Sequence, residues 1–510
     1  TGSSSITFRG GLTDNSTNFT SGTGIHTFST NNQAISGTDV LDLANVTVTG
    51  ITLTNNMADF TVSTALSGTG GLTQGVGATL RISGSSGITT LTASANPNTV
   101  NYDGGTQTVK SAIYHHLTLS GSLAKTLTNV GTINGDLTLS GTATATTAIA
   151  TTVGGNLIVG SGNTLTVAGF DFTVTGTSSV TGALDHSSTT GTKTYIGLVT
   201  INSGGDWSSS GNEGVTFRGG LTHNGASFSS GSGVYTFDTN AQAVGGTVAF
   251  TISNVTVTGV TLTNNSTGFT AGTTLAGTGT LLQGSGATLN IGGTSTITAL
   301  TATANPNTVN YTGAAQTVYV TTYHHLTLSG SGTKTMPGSA LAINGTFTTS
   351  GTASATAASA LTIGGGVVLG SGTTFNASSF SHTVAGDWTN NGGTFTPSTS
   401  TVTFNSTTAA QSINGSSATK TFNNFVVDKA GQTLSAGGST TTLTINGTVT
   451  LTAGTFSAGT ATAINVAGDW TNNGATFTPG SGTVTFNSTT AAQSINGTTA
   501  TKTFNNLTVN

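Results

Sequence analysis

A short period constrains this chain more than any other feature of its sequence. The apolar run of TINGDLTLSG starts at Ile133 and that of VGGNLIVGSG at Val153, a step of 20, and Ile343 and Ile363 repeat it. Ile445 in INGTVTL and Val466 in VAGDW stand 21 apart. Longer copies are laid over this period. ITFRGGL at Ile6–Leu12 returns as VTFRGGL at Val215–Leu221, NVTVTG from Asn45 returns from Asn254, ANPNTVNY from Ala95 returns from Ala304, and YHHLTLSG from Tyr114 returns from Tyr323. Each offset is 209, becoming 210 near Ile133 and Ile343. A second family has offset 82: TVTFNSTTAAQSING stands at Thr401–Gly415 and again at Thr483–Gly497, AGDWTNNG at Ala385 and Ala467, and TKTFNN at Thr419 and Thr501. Four steps of about 20.5 make 82 and ten of about 20.9 make 209, so both long repeats read as near-whole multiples of one short unit.

That arithmetic predicts a β-solenoid, in which each coil runs through two or three short strands and stacks on the coil before it. Duplication is expected to insert whole coils, because a partial coil slips later residues off their face. Tandem immunoglobulin-like sandwiches are the competing reading, since the shorter of the two long repeats suffices for one small domain. A repeat of 209 is about two and a half such domains, which favours coils. Local pattern agrees. TLTINGTVTLTAGTF, Thr442 to Phe456, alternates polar and apolar at period two. Leu443, Ile445, Val449 and Leu451 are expected to point inward, with Asn446-Gly447 at a corner that tolerates positive φ. Phe404, Phe422, Phe486 and Phe504 are expected to stack in the core.

The expected fold is therefore all-β, a parallel β-helix of roughly 25 coils of about 20–21 residues, some 120 Å long at strand spacing. The segments read as residues 1–209, a first repeat copy; 210–386, a second copy diverging after about 345; 387–468, an 82-residue repeat; and 469–510, a partial second copy of that repeat. Composition supports this. Of 510 residues 75 are Gly and 24 are charged, helix formers are scarce, and Thr and Val favour strands. A net charge of −4 with 34% hydrophobic residues argues against disorder. Scattered basic residues argue against a nucleic-acid partner. No apolar run reaches the roughly 18 residues of a membrane span. With no Cys there is no disulfide framework.

The phrases TVTFNSTTAAQSINGSSATKTFNNFVVD and INGTVTLTAGTF resemble repeats of large bacterial surface and secreted proteins, the filamentous-haemagglutinin-like and autotransporter-like adhesins. The resemblance is one of style and composition and covers most of the chain. It implies a parallel β-helix, usually right-handed, exported to the cell surface. It carries no catalytic residue across.

Candidate sites are few. Tyr114-His115-His116 and Tyr323-His324-His325 are the most site-like residues, but neighbours on a strand point to opposite faces, so a pair does not grip one metal ion. Asp206-Trp207, Asp387-Trp388 and Asp469-Trp470 each follow a Gly. Exposed, Trp207, Trp388 and Trp470 are candidate glycan contacts; otherwise each Asp bonds corner amides while the Trp covers the coil edge. Thirteen Asp and one Glu, Glu213, supply few carboxylates, and nothing marks Asp39, Asp42 or Asp238 as a glycosidase pair. No nucleophile elbow, calcium nonapeptide or cofactor motif is present. Thr-x-Thr pieces such as Thr47-Val48-Thr49 admit an ice-binding face, yet Thr is an ordinary outward strand residue. Asn-x-Ser/Thr triplets, such as Asn45-Val46-Thr47, admit glycosylation, though a chain so rich in Asn and Thr supplies them by chance.

The chain starts at Thr1, which aligns with Ser210, and stops at Asn510, which aligns with Asp428; neither end reads as a polar cap. The expectation is a processed form or fragment, or a unit that stacks end to end. Extracellular reach and stiffness, rather than catalysis, is the expected task. A carbohydrate- or ice-binding solenoid is the alternative, and a polysaccharide-degrading enzyme a weaker one.

Overall fold

A computed structural model describes residues 2–17 and 19–510. Thr1, where the first repeat copy is expected to begin, lies outside them. Among the described residues every regular element is a strand and every ladder is parallel, in a β-solenoid of about 25 turns. Contacts divide the chain into two compact units, Thr1–Leu262 and Thr263–Asn510.

In the first unit each coil contributes strands to three faces. One face begins with Ile6–Phe8, Ile25–Ser29 and Leu41–Thr49, in the register Phe8, Phe28, Val48. The next begins with Leu12–Asp14 and Gln33–Gly37 and passes through Ala93 and Tyr114 to Ile133, Val153, Val174, Tyr195 and Phe217. The third runs Leu80, Val100, Leu117, Leu137, Leu157, Ser178, Val199, Leu221. Alternation does the sorting. In Leu137–Leu139 the two Leu side chains are buried and Thr138 faces out, and the same buried–half-buried–buried pattern recurs strand after strand. Each inward residue lies on its counterpart one coil away, so the core is a column of stacked, mostly apolar side chains.

The second unit is built the same way. His382, Val402, Phe425, Val449, Trp470 and Ile495 stack along one face. Val367, Trp388 and Ile413 stack along another. Lys420, Leu443, Ile464, Val484 and Leu507 form the third. Leu443, Ile445, Val449, Leu451, Phe404, Phe422 and Phe486 are buried as expected. Phe504 is only half-buried, its ring 5.3 Å from that of Trp470.

Coil length is less regular than the sequence suggested. Counted along the chain, the step from Val100 to its ladder partner Leu117 is 17, that from Leu117 to Leu137 is 20 and that from Val199 to Leu221 is 22. From Phe425 to Val449 it is 24, and from Trp388 to Ile413 it is 25. The faces keep register while the corners absorb the difference. Where coils pass most closely only glycine fits: a Cβ on Gly84 would lie 1.7 Å from the Thr64 carbonyl oxygen.

The long repeats are not whole numbers of coils. Ile6–Phe8 lies on the first face of its unit, but its copy Val215–Phe217 lies on the second. Thr401–Phe404 belongs to the His382–Phe425 ladder, whereas its copy Thr483–Phe486 belongs to the Leu443–Leu507 ladder. Trp388 and Trp470 are likewise on different faces. The expectation of whole-coil duplication fails because it treats the faces as different. All three present the same inward apolar and outward Thr alternation, so a strand moved on by one face finds an equivalent seat. What must be conserved is inward–outward phase, and that is kept.

Leu137, between Leu117 and Leu157, tests the column. Leu137→Ala is expected to cost about 2–5 kcal/mol, whereas Thr138→Ala on the same strand should stay within about 0.5 kcal/mol. Native-state hydrogen exchange of the amides in residues 117–159 reads both.

Candidate functional site

The candidates read from the sequence do not converge. Trp207, Trp388 and Trp470 are 0–2% exposed. The glycan reading needs a ring face open to solvent and is corrected by that burial. The Gly-Asp-Trp corner splits its two side chains. Asp387 and Asp469 each accept the amide of a Ser in the next coil, Ser412 and Ser494, at 2.8 Å, and Asp206 accepts the Ser227 hydroxyl at 2.7 Å. The following Trp turns inward onto aromatic neighbours: Trp388 lies 4.8 Å from Phe395 and 5.2 Å from Phe422.

His115 and His116 do not point to opposite faces. They occupy a corner between buried Tyr114 and buried Leu117, both half-exposed, with rings edge-to-face at 4.4 Å. His324 and His325 repeat this at 4.3 Å. The second His of each pair is a corner bond: Nδ1 of His116 accepts the Asp136 amide at 3.0 Å and Nδ1 of His325 accepts the Thr346 amide at 2.9 Å. Among the described residues no three His, Asp or Glu side chains gather as a metal site. Asp42 accepts the Ser63 hydroxyl, Asp39 accepts the Val40 amide, and Asp238 pairs with Arg218 at 2.9 Å.

Sequence reading missed the polar chemistry of the interior. Gln411 donates through Nε2 to the carbonyls of Val384 and Gly386 in the coil before, and its Oε1 accepts the Ser406 amide. From the coil after, Lys429 donates to that same Oε1 at 2.6 Å and to the Ser406 and Ala409 carbonyls at 3.0 Å. One side-chain pair thus ties three consecutive coils. Gln107 with Lys125 and Gln316 with Lys334 build the same clamp, each Lys donating to two carbonyls and the Gln oxygen. All three lysines are at most 1% exposed, and burial holds the Lys429 ammonium down to about 8. The signal lay in the sequence as a fixed step: each Lys follows its Gln at an offset of 18.

A buried cluster that combines His, Tyr, Trp and Glu lies in the first unit. His186, buried completely, donates from Nδ1 to the Ser208 carbonyl at 3.2 Å and accepts the Tyr195 hydroxyl on Nε2 at 2.7 Å. Trp207 packs 4.6 Å from its ring and donates to the Tyr235 hydroxyl at 2.9 Å. Glu213, the chain's single Glu, brings Oε1 to 3.7 Å from His186 Nδ1 with both side chains fully buried. Burial pushes His186 down to about 4.

Comparison of the chain with protein-family profiles, with curated proteins and with solved structures gives no match.

Two outcomes check the interior. Lys334→Met takes one donor from the Gly313 and Ala314 carbonyls and from Gln316 Oε1, which keeps only the Gly313 amide, and is expected to cost about 2 kcal/mol, but less in a Gln316→Leu background, a coupling that a double-mutant cycle measures. His382 accepts the Leu361 amide on Nδ1 and bonds the Ala377 carbonyl through Nε2, so the folded protein holds it neutral, and burial lowers its pKa. Its contribution is full above the ordinary value near 6.5 and lost as pH falls through the lowered one. Hydrogen exchange in residues 361–402 should accelerate on acidification, and His382→Gln should remove that acceleration.

Proposed function

We propose that this chain is a segment of an extracellular structural fibre or surface adhesin stalk, in which stacked coils supply reach, stiffness and resistance to proteolysis. The observation that carries this reading is where the polar side chains go. Many Gln, Lys, Asp and Asn side chains and the corner His are spent on amides and carbonyls of neighbouring coils, and most aromatic rings are spent on the core. Such chemistry holds coils together, and no reaction is assigned to it. Secretion is supported by the resemblance to bacterial surface repeats.

Protease resistance is supported by burial. Of the ten Lys and Arg, Lys125, Lys193, Lys334, Lys420 and Lys429 are 0–1% exposed, so half the sites a trypsin-like protease needs are shut. End-to-end self-association is part of the proposal. It is supported by the way coils join within the chain, since each strand pairs in parallel with an equivalent strand of the next coil and one coil therefore offers another of its kind a matching edge.

Trypsin added to the native protein at neutral pH is expected to leave the peptide bonds after Lys125, Lys334 and Lys429 intact over hours, while the urea-unfolded chain is cut at all of them. Rapid native cleavage at those three would overturn the structural reading. Sedimentation velocity over a hundred-fold concentration range tests self-association separately: particles of one mass throughout would remove the end-to-end part and leave the rest.

A further inference from the structure

Glu213 is out of place in this interior. Its backbone follows a corner at Asn212, where φ is +60°, and its side chain turns inward to 0% exposure. Neither carboxylate oxygen has a hydrogen-bond partner. The nearest group of opposite potential charge is His186 Nδ1 at 3.7 Å, too far for a hydrogen bond but close enough for an ion pair. An unpaired buried carboxylate is costly, as is an unpaired buried imidazolium. Two arrangements avoid both costs. The carboxyl keeps its proton beside a neutral imidazole, or the imidazole takes that proton and faces a carboxylate. Each places one proton on the pair.

We propose that His186 and Glu213 hold one proton between them and act as a pH latch, most firmly closed at mildly acidic pH, whose gain of a second proton or loss of the first opens the coils between Ala183 and Phe237 locally.

The other charged groups nearby form no hydrogen bond or ion pair with His186. On the same strand, half-buried Asp185 draws His186 upward and accepts the Ser210 hydroxyl on Oδ2, while its Oδ1 is buried and unpaired. From the strand Lys193–Tyr195, Tyr195 donates to His186, and Lys193 is tied to the Phe170, Thr190 and Gly191 carbonyls. From the strand Asp206–Ser208, Asp206 faces out onto Ser227. Tyr235 is held by Trp207 and Ser209, and burial keeps both Tyr195 and Tyr235 phenolic, the latter pushed up to about 12. The strand Thr164–Val167 beneath His186 carries no titratable group. An added proton therefore leaves a buried cation with no anion in contact with it, and a removed proton leaves a buried anion with no cation in contact with it. With one proton on the folded pair, the closed state is most stable between the ordinary carboxyl and imidazole values, about 4.3 and about 6.5. Above that window the open chain sheds a proton that the closed pair keeps, and below it the open chain takes up a second proton that the closed pair, with His186 lowered by burial, resists, so stability falls on both sides.

The single Glu makes the test direct. Protein labelled with carbon-13 at the Glu side-chain carboxyl gives one resonance, and nitrogen-15 histidine, assigned with His186→Gln, gives the imidazole state. At pH 7 the expected result is either a protonated carboxyl with a neutral imidazole or a carboxylate with an imidazolium. A carboxylate beside a neutral imidazole would overturn the proposal. Hydrogen exchange of the amides in residues 183–237, corrected for the intrinsic pH trend, is expected to be slowest near pH 5.5 and to speed up about ten-fold or more by about pH 3, and again by about pH 8. His186→Gln should remove the acid limb and Glu213→Gln the alkaline limb. Persistence of either limb in its variant defeats the latch. If His186→Gln does not fold, the carboxyl resonance and the Glu213→Gln limb still decide.

Discussion

Everything in this fold depends on one contact, repeated: a short strand bonded in parallel to its counterpart one coil away, with inward side chains meeting their equivalents. Each coil is too thin to bury an apolar face alone and does so only by sandwiching between neighbours. That is why Leu117, Leu137 and Leu157 sit in register, and why loops vary from coil to coil while ladders do not. The backbone pairs supply direction and the side-chain column supplies the energy, at about 25 cal/mol for each Å² of apolar surface taken from water.

A column of aliphatic and aromatic groups has a weakness at its corners, where the chain turns and backbone groups lose ladder partners. The protein answers with side chains. Asp387 and Asp469 take amides, His116 and His325 take amides, and the Gln–Lys clamps take carbonyls. Burying an ammonium without a carboxylate is unusual, since the desolvation cost is large. Three oxygens arranged around each of Lys125, Lys334 and Lys429 offset it: two carbonyls and one Gln side chain from a single short stretch of the preceding coil. The clamps therefore carry specificity of stacking as well as stability: a coil in the wrong register buries a charge with nothing to hold it.

Much of this was legible. Period-two alternation around Leu443 and Ile445, the short repeating step and the scarcity of helix formers sufficed for a parallel solenoid. Four things were not. The phase of the long repeats was misread because the sequence shows spacing but not which face a strand occupies, and 82 and 209 both lie close to multiples of 20.5–21. The Gly-Asp corner before each Trp admitted both an exposed ring and one covering the coil edge, and only the fold shows that the Trp after the Asp turns inward. The Gln–Lys clamps were hidden because a buried Lys reads as a surface charge unless its partner is known, although the step of 18 was there to be counted. The pair His186 and Glu213 gave no signal at all; more than a full coil of chain separates them, and only folding brings them together.

The displacement of each copy by a single face has a consequence for anything borne on the outside. A mark written into the 82-residue segment does not recur along one line. Its next occurrence looks in another direction, as Thr401–Phe404 and Thr483–Phe486 do. Were the same displacement to continue, three tandem copies would box the compass and a fourth would regain the original bearing. An array lengthened this way becomes evenly dressed on every side without any change in its code.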